Sequence, residues 1–217
     1  MKKKYRILDF LVFLPLILIL VAIPFLPDQV PMHFNLSGEI TRIGSKYESF
    51  ILVGITMAMG VFLKFTGKNA AKKEEFSNEK VSIITGIGIM IWFNGMIISF
   101  LYRAFNYANE NLPDMDIQRL MFIFFGVALI VIGNIMPKGK LNTLIGIRTK
   151  WSMANEKAWF LSQRFGGIVL FLFGIIIIIG NVFFFSGFGS VIFSLGCLIL
   201  ATIITVVFSY IAYKKTL

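Results

Sequence analysis

The sequence predicts an all-α integral membrane protein, a bundle of six transmembrane helices that forms a single domain over residues 1–217. Hydrophobic residues make up 57% of the chain and charged residues 15%, against about a quarter charged in ordinary soluble domains. The apolar residues lie in long uncharged runs, and most Lys and Arg residues lie between these runs. A nucleic-acid binder needs a soluble basic face, so the net charge of +10 indicates membrane topology and no direct contact with nucleic acid.

Six apolar runs are long enough to cross about 30 Å of hydrocarbon as helices of roughly 20 residues. Residues 165–213 carry no charge and are too long for one helix, and the sequence Ser-Gly-Phe-Gly at 186–189 predicts a tight turn between two helices. The second run is the least regular, because Lys64 lies in its last turn and must extend toward the membrane surface. The predicted spans are residues 7–26, 49–66, 81–101, 118–136, 165–185 and 190–213.

The distribution of basic residues predicts the orientation. If the N-terminus is cytoplasmic, seventeen of the 21 Lys and Arg residues fall in inner segments, and the outer segments hold Arg42, Lys46, Arg103 and Arg119. Cytoplasmic connections carry the excess of Lys and Arg in membrane proteins. We therefore expect both termini in the cytoplasm. We also expect the first helix to be retained, since no small-x-small cleavage site follows it and five further spans do.

The outer connection, residues 27–48, is one of two connections long enough to hold specific chemistry. Its Pro, Asn, Gly and Ser content predicts an ordered, turn-rich loop with a short hairpin around Asn35 to Gly38. His33 is the single histidine, and no ligand spacing surrounds it. We expect His33 to be a hydrogen-bonding or pH-sensitive loop residue and not a metal ligand. The single cysteine, Cys197, allows no disulfide within the chain.

The inner connection, residues 137–164, combines basic, aromatic and hydroxyl side chains between two apolar runs. Residues 138–150 alternate Lys and Arg with Leu and Ile, a pattern typical of a loop at the anionic inner leaflet. From Ser152 the sequence predicts a helix, with the Ser152 hydroxyl as its cap, Glu156 in its early turns and Trp159 on the flank of its apolar face.

Two interpretations of the inner connection stay open. In the first, Trp151 and Trp159 are belt residues at the membrane surface, and the neighbouring cations orient the loop. In the second, a polar cluster binds a ligand or locks the helix bundle, and Arg148 is placed to hydrogen-bond carbonyls or carboxylates at low dielectric. The cluster consists of Asn142, Arg148, Thr149, Trp151, Asn155, Trp159 and Arg164.

The residues from Gly133 to Gly167 follow a pattern of fixed spacings. A Gly-Asn pair ends one span, and an Asn-x-x-x-Gly-x-Arg-Thr-x-Trp core precedes a Trp and an Arg-Phe. This pattern resembles the signature of the SdpI family of bacterial multi-pass membrane proteins, and residues 26–46 are similar to the N-terminal segment of its larger members. The matching positions are Gly133, Asn134, Asn142, Gly146, Arg148, Thr149, Trp151, Trp159, Arg164, Phe165 and Gly167, with Pro31, His33, Phe34, Gly38 and Lys46 in the N-terminal segment.

The resemblance implies an immunity protein of the bacterial plasma membrane, which protects a toxin-producing cell against its own secreted antimicrobial peptide. It also implies a receptor, in which toxin engagement leads the protein to hold a transcriptional repressor at the membrane. The implied partners are the lipid bilayer, a secreted peptide toxin outside and a cytoplasmic repressor inside. The chain departs from the commoner pattern at Lys150, where Pro is frequent, and at Ser162-Gln163, where Thr-His is usual.

Two other function classes receive less support from the residues. A small-solute transporter or channel needs polar side chains along its path, and the candidates within the spans are Asp9, Asn94, Asn134 and Asn181. No internal repeat typical of transporters is recognisable. An enzyme is not expected, and neither is a cofactor, because the chain has no HExxH, GxSxG or P-loop motif and no Cys/His cluster. Transport stays open as the alternative.

Overall fold

The computed structural model describes residues 2–35, 39–73, 78–108 and 116–217. Within these residues, six helices are each long and apolar enough to cross a membrane, and a two-stranded hairpin lies between the first two. Short 3-10 turns follow α1, precede α2 and follow α4. The elements are α1 (Lys2–Ala22), β1 (Gln29–Phe34), β2 (Ile40–Ser45), α2 (Ser49–Lys73), α3 (Glu79–Ala108), α4 (Ile117–Ile135), α5 (Glu156–Phe183) and α6 (Gly187–Lys214).

All six predicted spans are helices, and the largest difference is the start of α5. This helix begins at Glu156 because Asn155 caps it, accepting a hydrogen bond at Oδ1 from the Ala158 N–H at 2.8 Å. The prediction of Ser152 as the cap is wrong, since its hydroxyl bonds to the loop before the helix. An uncharged run marks where a helix meets hydrocarbon, whereas a cap marks where it begins, so charge-free length underestimates α5.

The outer connection contains an antiparallel hairpin that pairs β1 with β2, so the fold is not wholly α-helical. Val30 of β1 is fully buried and belongs to one apolar cluster with Ile19 of α1, Val53 of α2 and Ile97 of α3. The hairpin is therefore packed on the ends of the first three helices. Gly38, predicted in the turn, lies outside the described residues.

The six helices pack as two groups of three. In each group, α1 to α3 and α4 to α6, every helix contacts the other two, and α3 against α4 is the main contact between the groups. The α4–α5 contact depends on glycines. A Cβ atom on Gly133 would lie 2.6 Å from the Gly167 carbonyl oxygen, and one on Gly126 would lie 2.7 Å from that of Gly174. The two backbones approach closely at these two levels.

Polar residues inside the spans link neighbouring helices. Asn94 of α3 donates a hydrogen bond to the Leu11 carbonyl of α1 at 2.9 Å. Asn181 of α5 donates to the Ser194 hydroxyl of α6 at 2.9 Å. Lys64 of α2 forms an ion pair with Asp9 of α1 instead of only extending to the surface. Asp9, Asn94 and Asn181, three of the four polar candidates for a solute path, therefore make contacts between helices.

The segments rich in Lys and Arg meet at one end of the bundle, called here the basic end. Tyr5 near the start of α1 donates a hydrogen bond to Glu79 at the start of α3. Asn155 donates to the hydroxyl of Thr216, beyond the end of α6, at 3.1 Å. The opposite end carries the β-hairpin and is called the hairpin end. This grouping agrees with the predicted orientation, in which the basic end is cytoplasmic; the orientation itself stays a prediction.

Candidate functional site

The signature loop, residues 139–155 between α4 and α5, is organised in its first part by Asn142. This side chain is 5% exposed. Its Oδ1 accepts hydrogen bonds from the backbone N–H groups of Leu144 and Ile145 at 2.8 and 2.7 Å. Its Nδ2 donates to the carbonyls of Lys140 and Ile145 at 2.8 and 3.1 Å. Because an Asn that bonds to nearby backbone stabilises a turn, Asn142 determines the path of the loop.

Asn78, directly before α3, connects this part of the loop to the other group of helices. Its Oδ1 accepts a hydrogen bond from the Lys140 N–H at 2.9 Å, and its Nδ2 donates to the Lys140 carbonyl at 3.3 Å. The side chain is buried. No motif in the sequence points to this role, because an Asn before a helix is typical of a simple cap.

Gly146 and Gln163 fix the middle of the loop. Gly146 has a φ angle of +112°, and a Cβ atom there would lie 2.4 Å from Gln163 Oε1. Gln163 of α5 is 1% exposed, and its amide accepts from the Ile147 N–H and donates to the Ile147 carbonyl, each at 3.0 Å. A glycine both adopts this backbone angle and leaves room for the amide.

Hydroxyl groups fix the second part of the loop. The fully buried Ser152 donates to the Ile147 carbonyl at 2.7 Å and accepts from the Thr149 N–H at 2.9 Å. Thr149 Oγ1 accepts from the Ser152 N–H at 3.0 Å and lies 2.9 Å from the Ser209 hydroxyl of α6. The residues on both sides of Arg148 are therefore anchored to the bundle.

The two tryptophans have different environments. Trp159 is 2% exposed, and its indole N–H donates to the Gly139 carbonyl at 2.8 Å. Trp159 thus attaches the loop to α5, and its interpretation as a belt residue is wrong. Trp151 is half-buried; its ring meets Tyr210 of α6 at a tilted angle with centroids 5.2 Å apart, and Lys150 Nζ lies 5.3 Å from the Trp151 centroid. An aromatic ring beside a cation at the end of a span is typical of the membrane interface.

Three signature residues take no part in this hydrogen-bonded network. Arg148, Arg164 and Asn134 are exposed, and within the described residues none of them makes a hydrogen bond or an ion pair. The predicted polar cluster is therefore divided. Its buried members build the loop, and its two arginines are available to another molecule.

At the hairpin end, Lys46 and His33 have separate contacts. Lys46 Nζ lies 3.1 Å from Asp28 Oδ1 and donates to the Leu26 carbonyl at 3.2 Å. His33 is exposed, and its Nδ1 lies 2.5 Å from Thr41 Oγ1. In the described part of the chain, no three His, Cys, Asp or Glu side chains are grouped to hold a metal ion.

A pocket of about 230 Å³, called here the hairpin pocket, lies between the hairpin and helices α2, α3 and α4. Phe34 forms part of its wall, and the guanidinium of Arg103 lies 4.8 Å from the Phe34 ring centroid. Pro31, earlier in the same strand, is fully buried. The wall also includes Met32, Phe93, Met96, Phe100 and Met121. Methionine side chains adapt to irregular apolar partners.

Comparisons with known proteins give matches for the region of the signature loop and for the region of the hairpin. The model of the SdpI/YfhL protein family matches residues 138–209, and that of a domain of unknown function, DUF1648, matches residues 10–57. The chain is 26% identical over 215 residues to immunity protein SdpI of Bacillus subtilis (strain 168), covering 98% of this chain and 97% of that protein. The chain is similar to the SdpI family over residues 138–209 and to this immunity protein over nearly its whole length. No solved structure matches it.

The SdpI-family match covers one packed unit of this structure. It contains the signature loop, the α5 residues Trp159 and Gln163 that hold the loop, and the α6 hydroxyl of Ser209. The DUF1648 match covers most of α1, the hairpin and the first turns of α2. The two matched segments therefore contain the signature loop of the basic end and the β-hairpin of the hairpin end.

Proposed function

We propose that this chain is a membrane immunity protein that protects the cell making it against a secreted antimicrobial peptide. The observation that carries the proposal is the alignment with immunity protein SdpI, which extends over 98% of this chain and 97% of that protein. A relationship over nearly the whole length supports a shared function better than a match to one segment does.

The hairpin pocket is the proposed contact site for the peptide. Its Met and Phe walls suit the apolar side chains of an amphipathic peptide that lies in the membrane surface. Phe25 and Tyr47, 73% and 62% exposed, precede and follow the hairpin in the sequence. The predicted orientation places this end outside the cell, where a secreted peptide arrives first.

The test is protection of sensitive cells. Bacillus subtilis lacking its own SdpI and toxin would express this chain, and membrane insertion would be verified by fractionation. We expect survival in medium conditioned by the toxin-producing parent, and no survival advantage against an unrelated antimicrobial peptide. Sensitivity equal to that of cells without the chain, despite inserted protein, would contradict the proposal.

A matched pair of variants tests the contact site. Phe34→Ala opens the wall of the hairpin pocket and should weaken protection. Phe184→Ala removes a ring that is 75% exposed at the same end of the bundle and outside the pocket wall, so protection should persist. Equal effects of the two changes on protection would contradict the hairpin pocket as the contact site of the peptide.

We further propose that the basic end binds a cytoplasmic repressor once the peptide has bound at the hairpin end. Arg148 and Arg164 support this, because both are exposed without partners in the described structure and lie on anchored backbone. We expect the repressor to enter the membrane fraction when toxin is added to cells with the chain, and to remain soluble with Arg148→Ala and Arg164→Ala combined. A repressor that stays soluble after toxin is added, even in cells with the unchanged chain, would contradict the signalling role.

Transport receives less support. Asp9, Asn94 and Asn181, which could mark a solute path, make helix-to-helix contacts. Specific solute uptake by proteoliposomes containing the purified chain would favour transport over immunity.

A further inference from the structure

A second, larger cavity lies at the basic end, between the two groups of helices. Its volume is about 640 Å³, and it is bounded by α2, α3, α4, α5, α6 and the signature loop. Phe62, Leu144 and Thr202 on its wall are exposed, so the cavity is open at the surface of the bundle. Most of its wall is hydrocarbon, including Leu63, Ile89, Ile132, Leu170 and Val206.

Arg148 is the one charged residue among the described residues that line this cavity. It has no hydrogen-bond or ion-pair partner in the described structure, and its neighbours Ile147 and Thr149 are anchored by Gln163 and Ser152. The loop therefore presents an arginine on anchored backbone at the cavity, and the described lining contains no carboxylate. Guanidinium binds phosphate through two parallel hydrogen bonds.

Two hydroxyl groups inside the cavity lack partners. Ser82 is 5% exposed, and neither its Oγ nor Thr85 Oγ1 has a hydrogen-bond partner in the described structure, although both residues line the cavity. By contrast, Thr202 and Thr205 donate to carbonyls of their own helix. An unpaired buried hydroxyl is destabilising, and a hydrogen bond to a ligand oxygen would offset that cost.

We propose that this cavity binds an anionic phospholipid. Arg148 binds the phosphate, Ser82 and Thr85 donate to headgroup oxygens, and one acyl chain follows the hydrocarbon wall. The cavity extends from Ser82 to Ile89 along α3, roughly 10 Å at 1.5 Å per residue, so it accepts the first part of a chain. A free phosphate would leave this wall uncovered, and the loop lies where the spans end and lipid phosphates are found.

The proposal is tested with the purified full chain in neutral detergent, using native mass spectrometry to count bound lipids. The ligands are phosphatidylglycerol, diacylglycerol with the same acyl chains, and inorganic phosphate. We expect phosphatidylglycerol to bind at least about tenfold more tightly than diacylglycerol, as one charge-assisted contact of about 1.4 kcal/mol or more requires. Inorganic phosphate should show no specific binding.

Variants separate a site from general attraction to a basic surface. Arg148→Gln should reduce phosphatidylglycerol affinity about tenfold, whereas Arg164→Gln, an exposed arginine outside the cavity wall, should leave it unchanged. Thr85→Val keeps the shape and removes one hydroxyl donor, and should weaken binding about threefold. Unfolding temperatures in lipid-free detergent should show that each variant is folded.

Several results would overturn the proposal. Equal affinity for phosphatidylglycerol and diacylglycerol would exclude recognition of the phosphate. Equal losses with Arg148→Gln and Arg164→Gln would show non-specific attraction to the basic end. Tight binding of inorganic phosphate alone would assign a free anion to Arg148.

Discussion

Replacing Gly146 by alanine should destabilise the protein through one local contact. The φ angle of +112° costs a residue with a side chain about 1–3 kcal/mol. The new Cβ would lie 2.4 Å from Gln163 Oε1, so the amide must move and give up its two bonds to Ile147, each contributing about 1 kcal/mol. The expected loss is about 4 kcal/mol in total. At about 2–4 °C per kcal/mol for a chain of this size, the unfolding temperature should fall by about 10 °C.

The chain carries its own reporter for this measurement. Cys197 is the single cysteine and is buried, so a thiol-reactive dye in detergent solution becomes fluorescent only as the bundle unfolds. Gly196→Ala is the matched control, because a Cβ there meets nothing within 4 Å. In a chain that already carries Gln163→Ala, Gly146→Ala should cost only its backbone strain, about 1–3 kcal/mol. An unfolding temperature for Gly146→Ala equal to that of Gly196→Ala would refute the reasoning.

Two further predictions concern the tryptophans and the orientation. Trp159→Phe leaves the Gly139 carbonyl without its donor and should destabilise the bundle by about 1–3 kcal/mol. Trp151→Phe should change stability by less than about 1 kcal/mol. Thermal unfolding compares the two variants, and equal losses of stability would contradict the different roles of the two tryptophans. In a Cys197→Ser background, a membrane-impermeant thiol reagent added to intact cells should label Glu39→Cys and spare Lys215→Cys, and the reverse pattern would invert the predicted topology.

The spans could be predicted from the sequence because length and hydropathy are local properties of the chain. The start of α5 could not be predicted from the sequence, because the choice between Ser152 and Asn155 as the cap depends on the hydrogen bonds of Ser152 to the loop. Gln163 and Asn78 act on residues 16 and 62 positions away, and no spacing in a single sequence encodes such pairs. Gln163 stands where the family pattern usually has His, and only the structure shows that its amide closes the loop.

The division between buried and exposed signature residues leads to a prediction for Arg148. Asn142 and Trp159 hold the loop, so their loss affects the fold, and any effect on protection would follow from instability. Arg148 contributes no hydrogen bond or ion pair to the described structure, so Arg148→Ala should change the unfolding free energy by no more than about 0.5 kcal/mol.

If the basic end takes part in immunity, cells with Arg148→Ala should lose protection while the inserted protein keeps its unfolding temperature. Full protection by a stable variant would show that the arginine lies outside the mechanism. A loss of stability would instead mean that the guanidinium supports the loop through a bound molecule, and the phospholipid measurements would then show whether that molecule is a lipid.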